Sequence, residues 1–83
     1  MRVTYHSWLR AKVDTETDVI AEDETPGTIG DLSGMLAKRH GNVSELFVTE
    51  GALRYVVDRR YVDSSFPLKG VDEIGIYPPV TGG

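Results

Sequence analysis

Two short alternating runs, one near each end of the chain, constrain the fold more than any other feature. Over residues 2–8, Val3 and Tyr5 fall on one side and Arg2, Thr4 and His6 on the other; over residues 73–77, Ile74 and Ile76 alternate with Gly75 and Tyr77. A period of two is that of a strand with one buried face. Between these runs lies one clear helical period, with Ile29, Leu32 and Leu36 at i, i+3 and i+7 and Met35 beside them, while Asp31 and Lys38 stay wet. Glu24-Thr25-Pro26-Gly27 has turn chemistry, and Thr28 with Asp31 resembles a capping box, so the helix is expected to start there. Lys38, Arg39 and His40 complement its negative end, and Gly41 is the expected stop. Gly30 and Gly34 each weaken a helix by about 1 kcal/mol relative to Ala, so this one must depend on tertiary packing.

The remaining segments complete the pattern. Residues 10–15 read as a short polar connection, and in residues 17–22 Val19 and Ala21 alternate with Asp18, Ile20 and Glu22 as a second strand, antiparallel to the first. Residues 42–51 have no decisive period and read as a loop with about one helical turn. Leu53, Tyr55 and Val57 alternate with Arg54, Val56 and Asp58, and Arg59-Arg60 turns the chain into a short piece over residues 61–63. Strand, strand, helix, strand, short strand, strand is the order of a β-grasp fold, an α+β arrangement in which a mixed sheet wraps one main helix. The first and last strands then lie side by side and parallel at its centre, and their outer sides expose Thr4, His6, Gly75 and Tyr77 together. Residues 1–77 make this domain, and residues 78–83 make an extended tail that contributes no core contact.

An 83-residue chain removes only about 60 to 65% of its unfolded surface from water, which leaves a thin core and disfavours an enclosed substrate site. Scattered charges, 9 basic against 13 acidic with a net charge of -4, argue against a nucleic-acid partner. Lys38-Arg39-His40 and Arg59-Arg60 are too small to form a basic stripe. No apolar run approaches the roughly 20 residues of a membrane span, so a cytoplasmic location is the default expectation. The chain has no cysteine, which removes disulfides, thiolate metal sites and cysteine nucleophiles together. If it handles sulfur, it cannot hold that sulfur as a cysteine persulfide.

The ending Pro78-Pro79-Val80-Thr81-Gly82-Gly83 carries the functional reading. Two prolines end strand pairing and push the backbone into an extended course. Gly82 and Gly83 have no side chains, so a terminal carboxylate can enter a channel too narrow for any residue with a Cβ. A bare carboxylate is a poor acyl donor, whereas its mixed anhydride with AMP is readily displaced, so activation must come from outside. A sulfur nucleophile then gives a C-terminal thiocarboxylate, and a lysine amine gives an isopeptide bond.

The whole ending, Ile74-Gly75-Ile76-Tyr77-Pro78-Pro79-Val80-Thr81-Gly82-Gly83, resembles that of the molybdopterin synthase small subunit, the MoaD family within the ThiS/MoaD ubiquitin-like sulfur carriers. Thr28-Ile29-Gly30-Asp31-Leu32, Tyr61-Val62 and the approach over residues 68–73 resemble it as well. The resemblance implies that a MoeB-like enzyme adenylates Gly83 at the expense of ATP, and that a sulfur donor protein converts the adenylate to a thiocarboxylate. The tail, Pro78, Pro79, Val80, Thr81 and Gly82, would then insert into a MoaE-like large subunit of a heterotetramer that holds the catalytic residues. No cofactor is bound by the small subunit itself. The family's hydrophobic docking surface maps onto His6, Tyr61 and Tyr77, with His6 standing where the family has an aromatic. Asp58-Arg59-Arg60 and Gly70-Val71-Asp72 also replace its usual turns.

The two histidines lack the clustered ligands of a metal site, so His40 reads as a helix cap, and no metal is expected. Tyr5 and Trp8 read as core or rim packing. Sequence leaves open a carrier for thiamine thiazole, cysteine or tungsten-cofactor synthesis, a lysine-linked modifier, and a plain β-grasp adaptor with an inert tail.

Overall fold

The structure, a computed structural model, describes residues 1–79. The chain runs β1 (Arg2–Tyr5), α1 (Trp8–Val13), β2 (Thr17–Val19), α2 (Ile29–Arg39), α3 (Ser44–Val48), β3 (Arg54–Val57), β4 (Arg60–Val62) and β5 (Glu73–Tyr77). The five strands form one sheet in the order β2-β1-β5-β3-β4. β1 and β5 are parallel neighbours, with Arg2 opposite Glu73 and Tyr5 opposite Ile76, and the other three pairings are antiparallel. This is the β-grasp arrangement, with the first and last strands adjacent in its middle.

Inward residues of β1, β3 and β5 meet α2. Val3, Tyr5, Tyr55, Val57, Ile74 and Ile76 pack with Ile29, Leu32 and Leu36 of α2, Leu68 and the flanking Leu9 and Phe47 in one core. Thr28 caps α2 as expected, its Oγ1 accepting the Asp31 N–H at 3.2 Å. Gly30 has a packing reason: its N–H donates to the Ser64 carbonyl at 2.9 Å, and a Cβ there would stand 3.3 Å from that oxygen. The segment leading to β5 therefore lies tightly against the start of the helix. No comparable contact explains Gly34.

Several expectations need correction. Residues 8–13 form a helix, not a polar connection: Leu9 and Val13, four apart, are both buried, but a turn and a half offers too few repeats for its period to register. β2 ends at Val19, a 3₁₀ turn follows at Glu22–Glu24, and the inward residues are Asp18 and Ile20, while Val19 is exposed. Gly41 does not terminate α2 in a left-handed conformation, since among the described residues the positive-φ glycines are Gly51 and Gly70. Instead the His40 N–H bonds the Leu36 carbonyl at 2.9 Å, and a 3₁₀ turn at Gly41–Val43 feeds directly into α3. The β3–β4 hairpin has a two-residue turn at Asp58 and Arg59, with φ of 50° and 66°. Two left-handed residues are what the twist of a tight hairpin requires. Pro78 is buried rather than free of the domain, and Pro79 is half-buried. Among the described residues, no helix is long and apolar enough to cross a membrane.

Candidate functional site

The sheet face away from α2 is left bare by the helices, and strand parity decides what it shows. β1 and β5 turn Thr4, Gly75 and Tyr77 outward, and β3 and β4 add Arg54, Val56 and Tyr61. His6 extends this face by one residue beyond β1, its N–H bonding the Ile76 carbonyl at 3.0 Å. Its ring lies flat on Tyr77, with centroids 4.1 Å apart and planes 3° from parallel. Gly75 makes this possible. A Cβ on Gly75 would stand 3.2 Å from His6 Nε2 and 3.4 Å from Tyr77 Cε1, so the missing side chain is the space the stack occupies.

Arg54 joins the stack to Tyr61. It sits directly across from Tyr77 in the β3–β5 ladder, and its guanidinium carbon lies 5.8 Å from the Tyr61 ring centre, a cation–π distance. Tyr61 is 73% exposed and Tyr77 37%, unusual for large aromatics in a chain with so small a core. Ser7, Trp8, Arg54, Tyr61, Tyr77, Pro78 and Pro79 line one shallow groove at the end of β5. Here the chain leaves the sheet. The expected site residues His6, Tyr61, Tyr77, Pro78 and Pro79 thus share one face, whereas Val80, Thr81, Gly82 and Gly83 lie outside the described residues.

Three residues of the groove were not singled out as a binding site from sequence. Trp8, read as packing, is 38% exposed, and its even parity with Thr4 and His6 was the available signal. Arg54 follows from the alternation of Leu53 and Tyr55, but its position beside Tyr77 depends on a register that only the folded sheet sets. Ser7 has no signal in its residue type.

The opposite face carries a different polar group. Tyr5 donates its hydroxyl hydrogen to Asp18 Oδ2 at 2.6 Å, and His40 Nε2 lies 2.7 Å from the same oxygen. Arg39 Nη1 is 3.6 Å from Asp18 Oδ1. Burial pushes the Asp18 carboxyl up, but the hydrogen bonds from Tyr5 and His40 and the charge of Arg39 outweigh it and hold the group below its ordinary value. A carboxylate only accepts, so His40 carries its proton on Nε2. Burial, then the bond to Asp18, pushes the Tyr5 hydroxyl well above its ordinary range. His40 therefore does more than cap α2: it ties the helix end to β1 and β2. Among the described residues no three His, Asp or Glu side chains gather as a metal site.

Comparison with known proteins is consistent with this geometry. The fold is similar to SAMP1 from Haloferax volcanii, with a TM-score of 0.76 at 18% identity over 99% of this chain and 97% of that one. It is also similar to a protein assigned as molybdopterin converting factor, subunit 1, from Pyrococcus furiosus, with a TM-score of 0.71 at 27% identity over 95% of each chain. No curated protein sequence matches significantly. The model of the ThiS family matches residues 3–83, from the first inward valine of β1 through the closing glycine pair. With its β-grasp sheet, and with that match spanning nearly its whole length, the chain belongs to the ThiS family, the ThiS/MoaD type of ubiquitin-like sulfur carriers.

Proposed function

We propose that this chain is a sulfur carrier and the small subunit of a molybdopterin synthase, and that the group it carries is formed on the carboxylate of Gly83. The observation that supports this most directly is the shared surface at the end of β5, where the His6–Tyr77 stack, Tyr61 and the Pro78-Pro79 exit line one face. A partner gripping that face receives the residues that follow Pro79. On this reading Thr81, Gly82 and Gly83 enter the partner's active site.

The chemistry runs in two enzymes. In a MoeB-like partner the Gly83 carboxylate attacks the α-phosphorus of ATP, giving an acyl adenylate and releasing pyrophosphate. Sulfur at the sulfide level, supplied by a donor protein, displaces AMP and leaves a thiocarboxylate. In a MoaE-like large subunit that sulfur attacks an electrophilic carbon of the pterin precursor and displaces the oxygen that carbon bore. Water then cleaves the acyl–sulfur bond, which leaves the sulfur on the pterin and returns Gly83 to its carboxylate. A dithiolene holds two sulfurs, so each product consumes two loaded carriers. Catalytic side chains and the pterin pocket belong to the partner, and the carrier contributes the sulfur, its reach and its grip.

Intact mass spectrometry after incubation with the adenylating enzyme, ATP and a sulfur source tests the loading step. The expected result is the mass gain of one oxygen replaced by sulfur, absent in a chain lacking Gly83. Loaded carrier mixed with the large subunit and precursor is then expected to give the dithiolene. Failure of adenylation sinks the reading. Loading without transfer to the large subunit assigns the carrier to another sulfur pathway, and Gly-Gly remnants on cellular lysines instead assign it as a modifier.

A further inference from the structure

Among the described residues, four that are not glycine have positive φ, and three have an evident local reason. Asp14 closes α1 in the left-handed region, and Asp58 and Arg59 form the β3–β4 turn. Ser7 is different. Its φ of 58° with ψ of -145° lies outside the left-handed helical region, in a part of backbone space that glycine occupies almost alone.

The conformation itself is set by the fold. The His6 N–H must reach the Ile76 carbonyl to extend β1, and α1 must begin at Trp8, with the Arg10 N–H bonding the Ser7 carbonyl at 3.2 Å. One residue makes that reversal, and glycine would make it with less strain. A side chain therefore stands where its absence would be more comfortable. Within the fold its hydroxyl does nothing for α1, to which it gives no capping bond, and it is exposed. It does line the groove where the chain leaves the sheet, together with Trp8, Arg54, Tyr61, Tyr77, Pro78 and Pro79. Among the described residues, Arg54 is the one charged side chain lining that groove, a cation on a chain whose net charge is -4.

We propose that Ser7 is an affinity-determining residue of the docking face. Its hydroxyl hydrogen-bonds an acidic segment of the partner protein that lies in this groove, with the partner's carboxylate on Arg54. Ser7 and Arg54 line the same groove, a hydroxyl donor and a cation suited to a carboxylate, and its aromatic walls supply apolar contact around them. The proposal rests on the docking reading above and adds the chemistry of what docks. Retaining a strained serine makes sense on these terms, because stability is given up for a contact formed only in the complex.

Three variants test it in the full chain, using the MoaE-like large subunit and the adenylating enzyme as binding probes. Ser7→Gly is expected to raise the melting temperature by a few degrees and to weaken binding about tenfold. Ser7→Ala keeps the strain and loses the hydroxyl, so its melting temperature stays at the wild-type value while binding weakens equally. Arg54→Gln weakens binding to a similar extent and also flattens the salt dependence of association. In the adenylation assay both Ser7 variants raise KM for the carrier and leave kcat unchanged. The proposal is overturned if Ser7→Gly binds as tightly as wild type, if it gains no thermal stability, or if Ser7→Ala binds normally. Wild-type chain that binds neither enzyme overturns the docking reading, and this proposal with it.

Discussion

The sheet's two faces are built from the same strands, residue by residue, yet they hold their side chains for different purposes. Each face uses a tyrosine and a histidine. On the inner face Tyr5 is fully buried and edge-on to His40, with ring centroids 5.8 Å apart, and both are pinned to Asp18. On the outer face His6 and Tyr77 lie flat on one another with no carboxylate between them. The inner pair closes three elements around a half-buried charge; the outer pair presents an aromatic surface that water still wets. The same residue types serve cohesion on one side and, in the proposed function, recognition on the other, so adjacent residues such as Ile76 and Tyr77 are expected to respond to mutation in different assays.

That expectation is broken or kept most decisively at Ile76 and Tyr77. Ile76 is fully buried at the centre of the sheet, so Ile76→Ala is expected to cost about 2–5 kcal/mol of stability, read from urea unfolding. Binding per folded molecule stays as in the wild type. Tyr77→Ala, one residue along, reverses the pattern: unfolding shifts by less than about 1 kcal/mol, while partner affinity falls by about 2 kcal/mol or more, as for an interface anchor. Titration calorimetry against the adenylating enzyme measures the second effect. If Tyr77→Ala destabilises as much as Ile76→Ala, the outer face is part of the core and the contrast fails.

Asp18→Asn is the next largest change. An amide oxygen accepts where the carboxylate did, but without charge and with an amide donor beside Tyr5 and His40, so about 1–3 kcal/mol of stability is expected to go. Its pH signature sharpens the comparison. The folded Asp18 carboxyl sits below its ordinary value of 3.8, so its contribution is complete above that value and is lost as pH falls through the folded value. The Tyr5 hydroxyl is shifted upward from 10.0, so its contribution is complete below 10.0 and declines as pH rises above it toward the folded value. Unfolding midpoints across pH should show the acid limb flattened in Asp18→Asn and retained in Tyr77→Ala.

This inner cluster also marks where sequence reading ran out. The parallel pairing of the end strands, the α2 cap at Thr28 and the shared outward display of Thr4, His6, Gly75 and Tyr77 were legible, because each follows from a period or a cap. β2 was legible as a strand but not in its facing, since a half-buried, inward aspartate inverts the apolar-in rule and is satisfied by Tyr5 and His40 from distant parts of the chain. α1 was missed because Leu9 and Val13 give its period a single repeat. In the candidate site, parity and family resemblance pointed to His6, Tyr61 and Tyr77, which the folded sheet displays on one outer face. Arg54 depends on the β3–β5 register, and Ser7 on a backbone angle, neither of which a residue type encodes.

The finest test of the two-face picture is Gly75→Ala. Its backbone angle is ordinary, so alanine meets no conformational penalty, and a β-strand generally gains slightly from replacing glycine. The added methyl would press on the ring edges of His6 at 3.2 Å and Tyr77 at 3.4 Å, both side chains at the surface and free to shift by a few tenths of an ångström. Stability is therefore expected to change by less than about 0.5 kcal/mol, while the stack tilts out of the plane in which it meets a partner and affinity falls severalfold, by about 1 kcal/mol. A cycle with Tyr77→Ala isolates the cause: once the ring is gone, the methyl has nothing to displace, and Gly75→Ala should cost no further affinity. Equal losses with and without Tyr77 would mean that the methyl acts on the partner directly and that the flat stack is incidental to docking.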